Sequence, residues 1–150
     1  MGIKVIATNR KAKHEYFLLD TYEAGLVLKG SEIKSIRAGQ ISLAQAYVSV
    51  DGNEAWLVNS HIAPYNEASS NNHDPVRARK LLLHSSEIRK LSDKVRQKGA
   101  TVIPLRVYLK DGKAKVEIAL AKGRKHYDKR AEIAKRDSQR ELDRQYKQRR

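Results

Sequence analysis

The chain has no cysteine. Disulfides and thiolate metal sites are therefore excluded, which suits a reducing cytoplasm. Only three prolines, one tryptophan and one phenylalanine occur among 150 residues. No uninterrupted apolar run exceeds four residues when glycine is left out. A membrane-spanning helix needs about 20 such residues and a signal peptide about 7–15, so no membrane association is expected. The start, "MGIKVIATNRKAK", is also too mixed for a secretory leader.

Signatures of catalysis are missing too. The five histidines include no pair four apart, and no HExxH or GxxxxGK[ST] occurs. Acidic residues interleave with Lys and Arg instead of standing as an isolated carboxylate pair. We expect no catalytic residue, no metal, no cofactor and no enzyme activity. His73-Asp74 lies in a polar loop and reads as a solvated turn former.

Positive charge is abundant. There are 31 Lys/Arg against 17 Asp/Glu, a net charge of +14. Residues 122–150 hold 12 basic against 5 acidic residues, and residues 1–121 hold 19 against 12. Each part therefore carries +7, so the excess is not confined to the end of the chain. Such a surface seeks polyanions, most often nucleic acid.

Residues 1–121 read as a core-forming body. "HEYFLLD" (14–20) and "YEAGLVLKG" (22–30) have strand composition, with Gly25 at a bulge or bend. "SEIKSIRAG" (31–39) changes to a helical period, with Ser31 as cap, Ile33 and Ile36 on one face and Gly39 at the end. Lys34 and Arg37 share a different face. "AYVSVDGNEAWLVNSHI" (46–62) is a hairpin about Asp51-Gly52-Asn53. Its Tyr47 and Trp56 are expected in the core. Residues 63–76 form a long polar loop. "SSEIRKLSDKVRQKG" (85–99) is a serine-capped helix with Ile88, Leu91 and Val95 in one stripe and Gly99 at its close. Residues 101–123 form a second hairpin about Asp111-Gly112, with Pro104 marking an edge or bulge. Val116, Ile118 and Leu120 alternate with Lys115, Glu117 and Ala119. About six short strands and two or three helices in so short a chain favour a mainly β fold. We expect a small antiparallel OB-like barrel with helices outside.

Residues 122–150 differ. Over 131–150 only Ile133, Leu142, Tyr146 and two alanines are apolar, and they make no stripe. Pairs such as Glu132–Arg136 and Asp143–Lys147 add a few tenths of a kcal/mol each. Ordering the backbone costs about 1–2 kcal/mol per residue. This basic tail is expected to be disordered alone and helical on a partner.

Basic groups cluster in two places within the body. "NRKAKHEY" (9–16) holds Arg10, Lys11, Lys13, His14 and Tyr16, and "RARKLLLH" (77–84) holds Arg77, Arg79 and Lys80. Their cations suit phosphates, and their rings and guanidinium planes suit unstacked bases.

"NRKAKHEY", "YEAGLVLKGSEIKSIRAG", "NNHDPVRARKLLLH" and "KGRKHYDKR" follow one another in an order and spacing that resemble the SsrA-binding protein (small protein B) family over about residues 9–130. The resemblance implies an OB-like body that binds the tRNA-like domain of tmRNA, near its D-loop and elbow. It also implies a tail that enters the decoding centre and the empty mRNA channel of a stalled ribosome. Elongation factor Tu would join through aminoacylated tmRNA, and the protein would be a monomer in the cytoplasm. The RNA-facing residues it implies are Asn9, His14, Glu23, Lys34, Arg37, Lys80 and Leu82. The basic clusters add Arg10, Lys11, Lys13, Arg79, Lys122, Arg124 and Lys125. The tail candidates are Tyr127, Asp128, Lys129, Arg130, Lys135, Arg136, Arg140 and Arg144. Arg124 stands where the family commonly has lysine, and Tyr127 where some members have histidine. Glu23, being acidic, would accept hydrogen bonds from the RNA or brace a nearby cation. The competing reading is an rRNA-binding OB-fold ribosomal or translation factor.

Overall fold

A computed structural model describes residues 2–65 and 72–123. The expected tail from residue 124 onward, and the middle of the 63–76 loop, lie outside the described residues. Among the described residues the fold is mainly β, with nine strands and three helices. The strands are β1 (Ile3–Thr8), β2 (Tyr16–Leu26), β3 (Ile41–Ser42), β4 (Tyr47–Asp51), β5 (Glu54–Val58), β6 (His61–Ile62), β7 (Arg79–Leu82), β8 (Thr101–Lys110) and β9 (Lys113–Gly123). The helices are α1 (Ala12–Glu15), α2 (Gly30–Arg37) and α3 (Ser85–Lys98). None is long and apolar enough to cross a membrane.

The antiparallel pairings run β8–β4–β5–β7–β2–β9 and return to β8, so six strands close a ring. Strand β1 extends the sheet along the far half of β8, and β3 pairs with β6 apart from it. Closure leaves few unpaired edges. Inside the ring the alternation of β9 places Val116, Ile118 and Leu120 against Val102, Val107, Leu57 and Leu81, all buried. Helix α3 covers the ring with Ile88 and Leu91.

Both hairpins form where Asp-Gly stands. Asp111 and Gly112 take φ of 51° and 78°, the left-handed pair that a tight two-residue turn requires. Pro104 sits beside a register shift in the β8–β9 pairing, where its missing N–H is tolerated.

Some boundaries differ from the sequence reading. Residues 16–26 form one strand, not two, because an irregularity between Leu18 and Thr21 absorbs the break in alternation. His14 and Glu15 belong to α1, and β1 has no counterpart in that reading. Ser31 is not the cap of α2: Lys29 is, and its N–H donates to the Glu32 carboxylate at 2.8 Å. Likewise His84, not a serine, precedes α3 and donates its N–H to Glu87 at 3.0 Å. In both helices a glutamate reaching back to the N-terminus replaces the serine cap. Tyr47 is exposed on β4, and Trp56 is half-buried.

Candidate nucleic-acid interface

The outer face of β1, β8, β9 and β2 gathers residues far apart in the chain. One row across it reads Thr8, Arg106, Glu117, Glu23. The next outward row reads Val5, Tyr108, Lys115, Gly25, and continues to Leu82 on β7. Between these rows Val107, Val116 and Ala24 turn inward and are buried. Asn9 follows Thr8, so it lies about three strand spacings, roughly 15 Å, from Glu23.

Charge on this face is organised. Glu23 accepts a hydrogen bond from the Tyr108 hydroxyl and lies 3.6 Å from Lys110 Nζ. The Tyr108 hydrogen bond holds the Glu23 carboxyl below its ordinary range, with help from the charges of Lys110 and Lys115. Burial pushes the Tyr108 phenol up, and Glu23 adds to the effect. Arg106 reaches Glu117 at 3.3 Å and lies over the Tyr108 ring at 5.1 Å. Glu23 thus braces neighbouring groups, one of the two roles open to it from sequence.

Asn9 spends its side chain on the fold. Its Nδ2 donates to the Pro104 carbonyl at 3.0 Å and its backbone N–H to Leu105 at 2.7 Å. Those bonds fix the start of α1, from which Arg10, Lys11, Lys13 and His14 are exposed. Lys122, half-buried, lies opposite Phe17 on β2, two residues past the end of α1. This basic cluster sits beyond the Asn9 end of the face.

Helix α2 presents a second basic edge. Its buried side holds Ile36 and Glu32, and Ser35 donates to the Ala63 carbonyl at 2.7 Å. Its exposed side carries Lys34, 5.6 Å over the Tyr65 ring, and Arg37, which donates to the Gly112 carbonyl at 3.4 Å.

Strand β7 separates its own residues by alternation. Lys80 and Leu82 face out, Leu82 with 56% of its surface exposed, and Lys80 lies 3.6 Å from Glu54. Arg79 and Leu81 face in. Arg79 is 0% exposed, so it does not belong to the RNA-facing surface expected from sequence. Its guanidinium donates to Glu32 at 2.7 Å, to the Ser60 carbonyl at 2.8 Å and Oγ at 3.1 Å, and to the carbonyls of Asp74 and Pro75. Arg77 binds the other oxygen of Glu32. Burial pushes the Glu32 carboxyl up, but hydrogen bonds from Arg77, the Lys29 N–H and Arg79 hold it below its ordinary value. Desolvation lowers Arg79, opposed by Glu32.

His73 joins this knot and is not a solvated loop residue. It is buried, with one ring nitrogen 2.8 Å from Ser31 Oγ and the other 2.9 Å from the Ile62 carbonyl. Both ring nitrogens are satisfied, which accounts for its burial.

Sequence reasoning missed Arg106, Lys110 and Lys113 on the outer face, and Tyr108, which lies on that side of the sheet but is buried. The signal was the alternation on both sides of Asp111-Gly112, which sends Arg106, Lys110, Lys113, Lys115 and Glu117 outward. Among the described residues no cluster of His, Asp or Glu is suited to a metal. Arg124, Lys125, Tyr127, Asp128, Lys129, Arg130, Lys135, Arg136, Arg140 and Arg144 lie outside the described residues.

The model of the family described as SmpB protein matches residues 6–148 of the chain. The chain belongs to the SmpB family. An SsrA-binding protein of Persephonella marina is 58% identical over 147 residues, covering 98% of this chain and 97% of that protein. One from Desulforudis audaxviator is 58% identical over 139 residues, covering 93% and 91%. A solved chain from "tmRNA-SmpB: a journey to the center of the bacterial ribosome" matches with a TM-score of 0.65 at 49% identity. The match covers 77% of this chain and 82% of that one. This SmpB family member therefore shares its β fold with that chain.

Proposed function

We propose that the protein binds the tRNA-like domain of tmRNA with the outer face of its sheet and carries it to stalled ribosomes. The observation that carries this reading is the convergence of Asn9, Glu23 and Leu82 with unburied cations on one face. A curved sheet face with cations and protruding apolar groups suits structured RNA with exposed loop bases. Arg10, Lys11, Lys13, His14 and Lys122 extend the face at one end, and Lys34, Arg37 and Lys80 at the other. Arg79 is left out, and serves the fold. The protein works by binding and not by catalysis, as a cytoplasmic, ribosome-associated monomer, with elongation factor Tu reached through the aminoacylated RNA.

Residues 127–150 are assigned the ribosomal part, while Lys122, Arg124 and Lys125 stay with the tmRNA-binding face. A positive segment with little to bury suits a groove lined by phosphate that is vacant only when message is missing. Tyr127, Asp128, Lys129 and Arg130 would enter the decoding centre, and Lys135, Arg136, Arg140 and Arg144 the channel, ordered there by charge and contact.

Two measurements test the reading. The full chain should prefer the tRNA-like domain to an RNA duplex of equal length. Equal affinity would sink the proposal in favour of general or rRNA binding. Deleting residues 128–150 should spare that preference yet abolish peptide tagging on stalled ribosomes. Parallel loss of both would refute the division of labour.

A further inference from the structure

Strand β1 is paired along one edge only. It bonds to β8, and among the described residues no strand pairs along its other side. Strand β3 is likewise paired with β6 alone. A groove of about 660 Å³ runs between β1 and β3, with Ile6, Ile41 and Leu43 as apolar lining and Arg10 and Lys11 at one end. Ile6 and Ile41 are half-buried and Leu43 is buried. No acidic residue lines the groove. Lys4, Arg10 and Lys11 are exposed, and none of them makes an ion pair among the described residues. An unpaired strand edge carries a row of N–H and C=O groups that a further strand can bond, and an apolar groove beside it gives that strand something to cover.

We propose that this groove takes an extended, acidic peptide segment of a protein partner, which adds to the free edge of β1 as a further strand. The proposal goes beyond the RNA-binding reading and does not rest on it. Backbone hydrogen bonds to β1 hold the segment, and its apolar side chains cover Ile6 and Ile41. The six residues of β1 span roughly 20 Å, enough to seat an added strand of ordinary length. Acidic side chains of that strand meet Lys4 towards one end and Arg10 and Lys11 at the other, and opposite charges on neighbouring strands attract. A second copy of this chain fits the edge poorly. Two β1 strands paired about a twofold axis would turn the Lys4 end of one towards Arg10 and Lys11 of the other, between chains that each carry +14. Lys4 and the irregularity between Val5 and Ala7 are also the devices by which an edge strand avoids pairing with itself.

The test uses the full chain, labelled with nitrogen-15, and three synthetic peptides of the length of β1. One alternates valine and glutamate, one has that sequence with methylated backbone nitrogens, and one alternates valine and lysine. The valine–glutamate peptide should shift the amide signals of Ile3–Thr8 and of residues 41–44. At saturation it should also slow hydrogen exchange at the free edge of β1 by about tenfold or more. The methylated peptide cannot donate to the strand edge and the lysine peptide meets like charge, so neither should produce these changes. In the double variant Lys4→Glu with Lys11→Glu the preference should reverse, the lysine peptide binding and the glutamate peptide not, with a thermal melt to verify folding. The wild-type comparison decides the matter without the variant. Unmoved β1 signals with the valine–glutamate peptide overturn the proposal. So do equal shifts with the methylated peptide, which would mean attraction by charge and no added strand, and shifts confined to another basic surface such as α2. Signals of β1 that move with protein concentration alone would give the edge to a second copy and overturn it too.

Discussion

Two glutamates, nine residues apart, show how burial decides what an ion pair is for. Glu32 is fully buried and gripped by two arginines, while Glu23 is exposed and shared between a phenol and a lysine. The first knot joins α2 to β7 and to the chain entering it, so Lys34 and Arg37 are presented from a fixed helix. The second lies on the open face and leaves its cations close to where a ligand would come. Buried charge is costly unless fully paired, so the Glu32 site can only hold its shape. Exposed charge is cheap to rearrange, so the Glu23 site can trade partners.

The largest effect should come from breaking the buried knot. Arg79→Ala leaves Glu32 in the interior with Arg77 as its one cation beside the Lys29 N–H, and frees the acceptors on Ser60, Asp74 and Pro75. The expected loss is about 3 kcal/mol or more, read by urea denaturation. If Arg79 were instead an RNA contact, stability would hold and only affinity would fall.

Acid should weaken the same knot. The folded-state value for Glu32 is lowered from 4.5, so its contribution to stability is complete above about pH 4.5. That contribution is lost as pH falls through the lower folded value. Denaturation midpoints should hold between pH 7 and 5 and decline below 4.5. In Glu32→Gln the decline should be shallower, since one titrating carboxylate is gone. An identical acid limb in both proteins would place the titration elsewhere.

What the sequence conceals is visible in this same comparison. The strand alternation of β9, the turns at Asp51 and Asp111 and the glycines closing α2 and α3 follow from local rules, and they are found where those rules place them. Arg79 could have been read inward, because it shares parity with Leu81 in β7 and not with Leu82. Its charge outweighed its parity in the reading, and the compensating Glu32 lies 47 residues away. His73 was hidden in the same way, its partners being Ser31 and the Ile62 carbonyl. Short motifs mark candidate RNA contacts. They do not say which cation a distant carboxylate has already taken. The alternation about Asp111-Gly112 marks Arg106 and Lys110 as outward, but their place beside Thr8 and Glu23 needed the β1–β8, β8–β9 and β2–β9 registers, which no local pattern supplies.

A smaller effect should separate the basic edge of α2 from the knot beneath it. Lys34→Ala and Arg37→Ala remove exposed cations, so stability should change by less than about 0.5 kcal/mol each. Binding to the tRNA-like domain should lose about 0.7–0.9 of salt slope per residue. Unchanged slopes would move the RNA off α2, and restrict the interface to the sheet.

The smallest effect is expected where an ion pair looks most favourable. Lys94 on α3 bonds Asp20 on β2, and that hydrogen bond raises the lysine above its ordinary value. Both groups are open to solvent, so water and salt compete for each of them. Lys94→Ala should leave the melting temperature and the RNA salt slope as they are in the wild type. A clear drop in melting temperature would mean that α3 is held to the ring by this contact and not by Ile88 and Leu91. The contrast between buried and exposed pairs would then fail at the place where it is easiest to check.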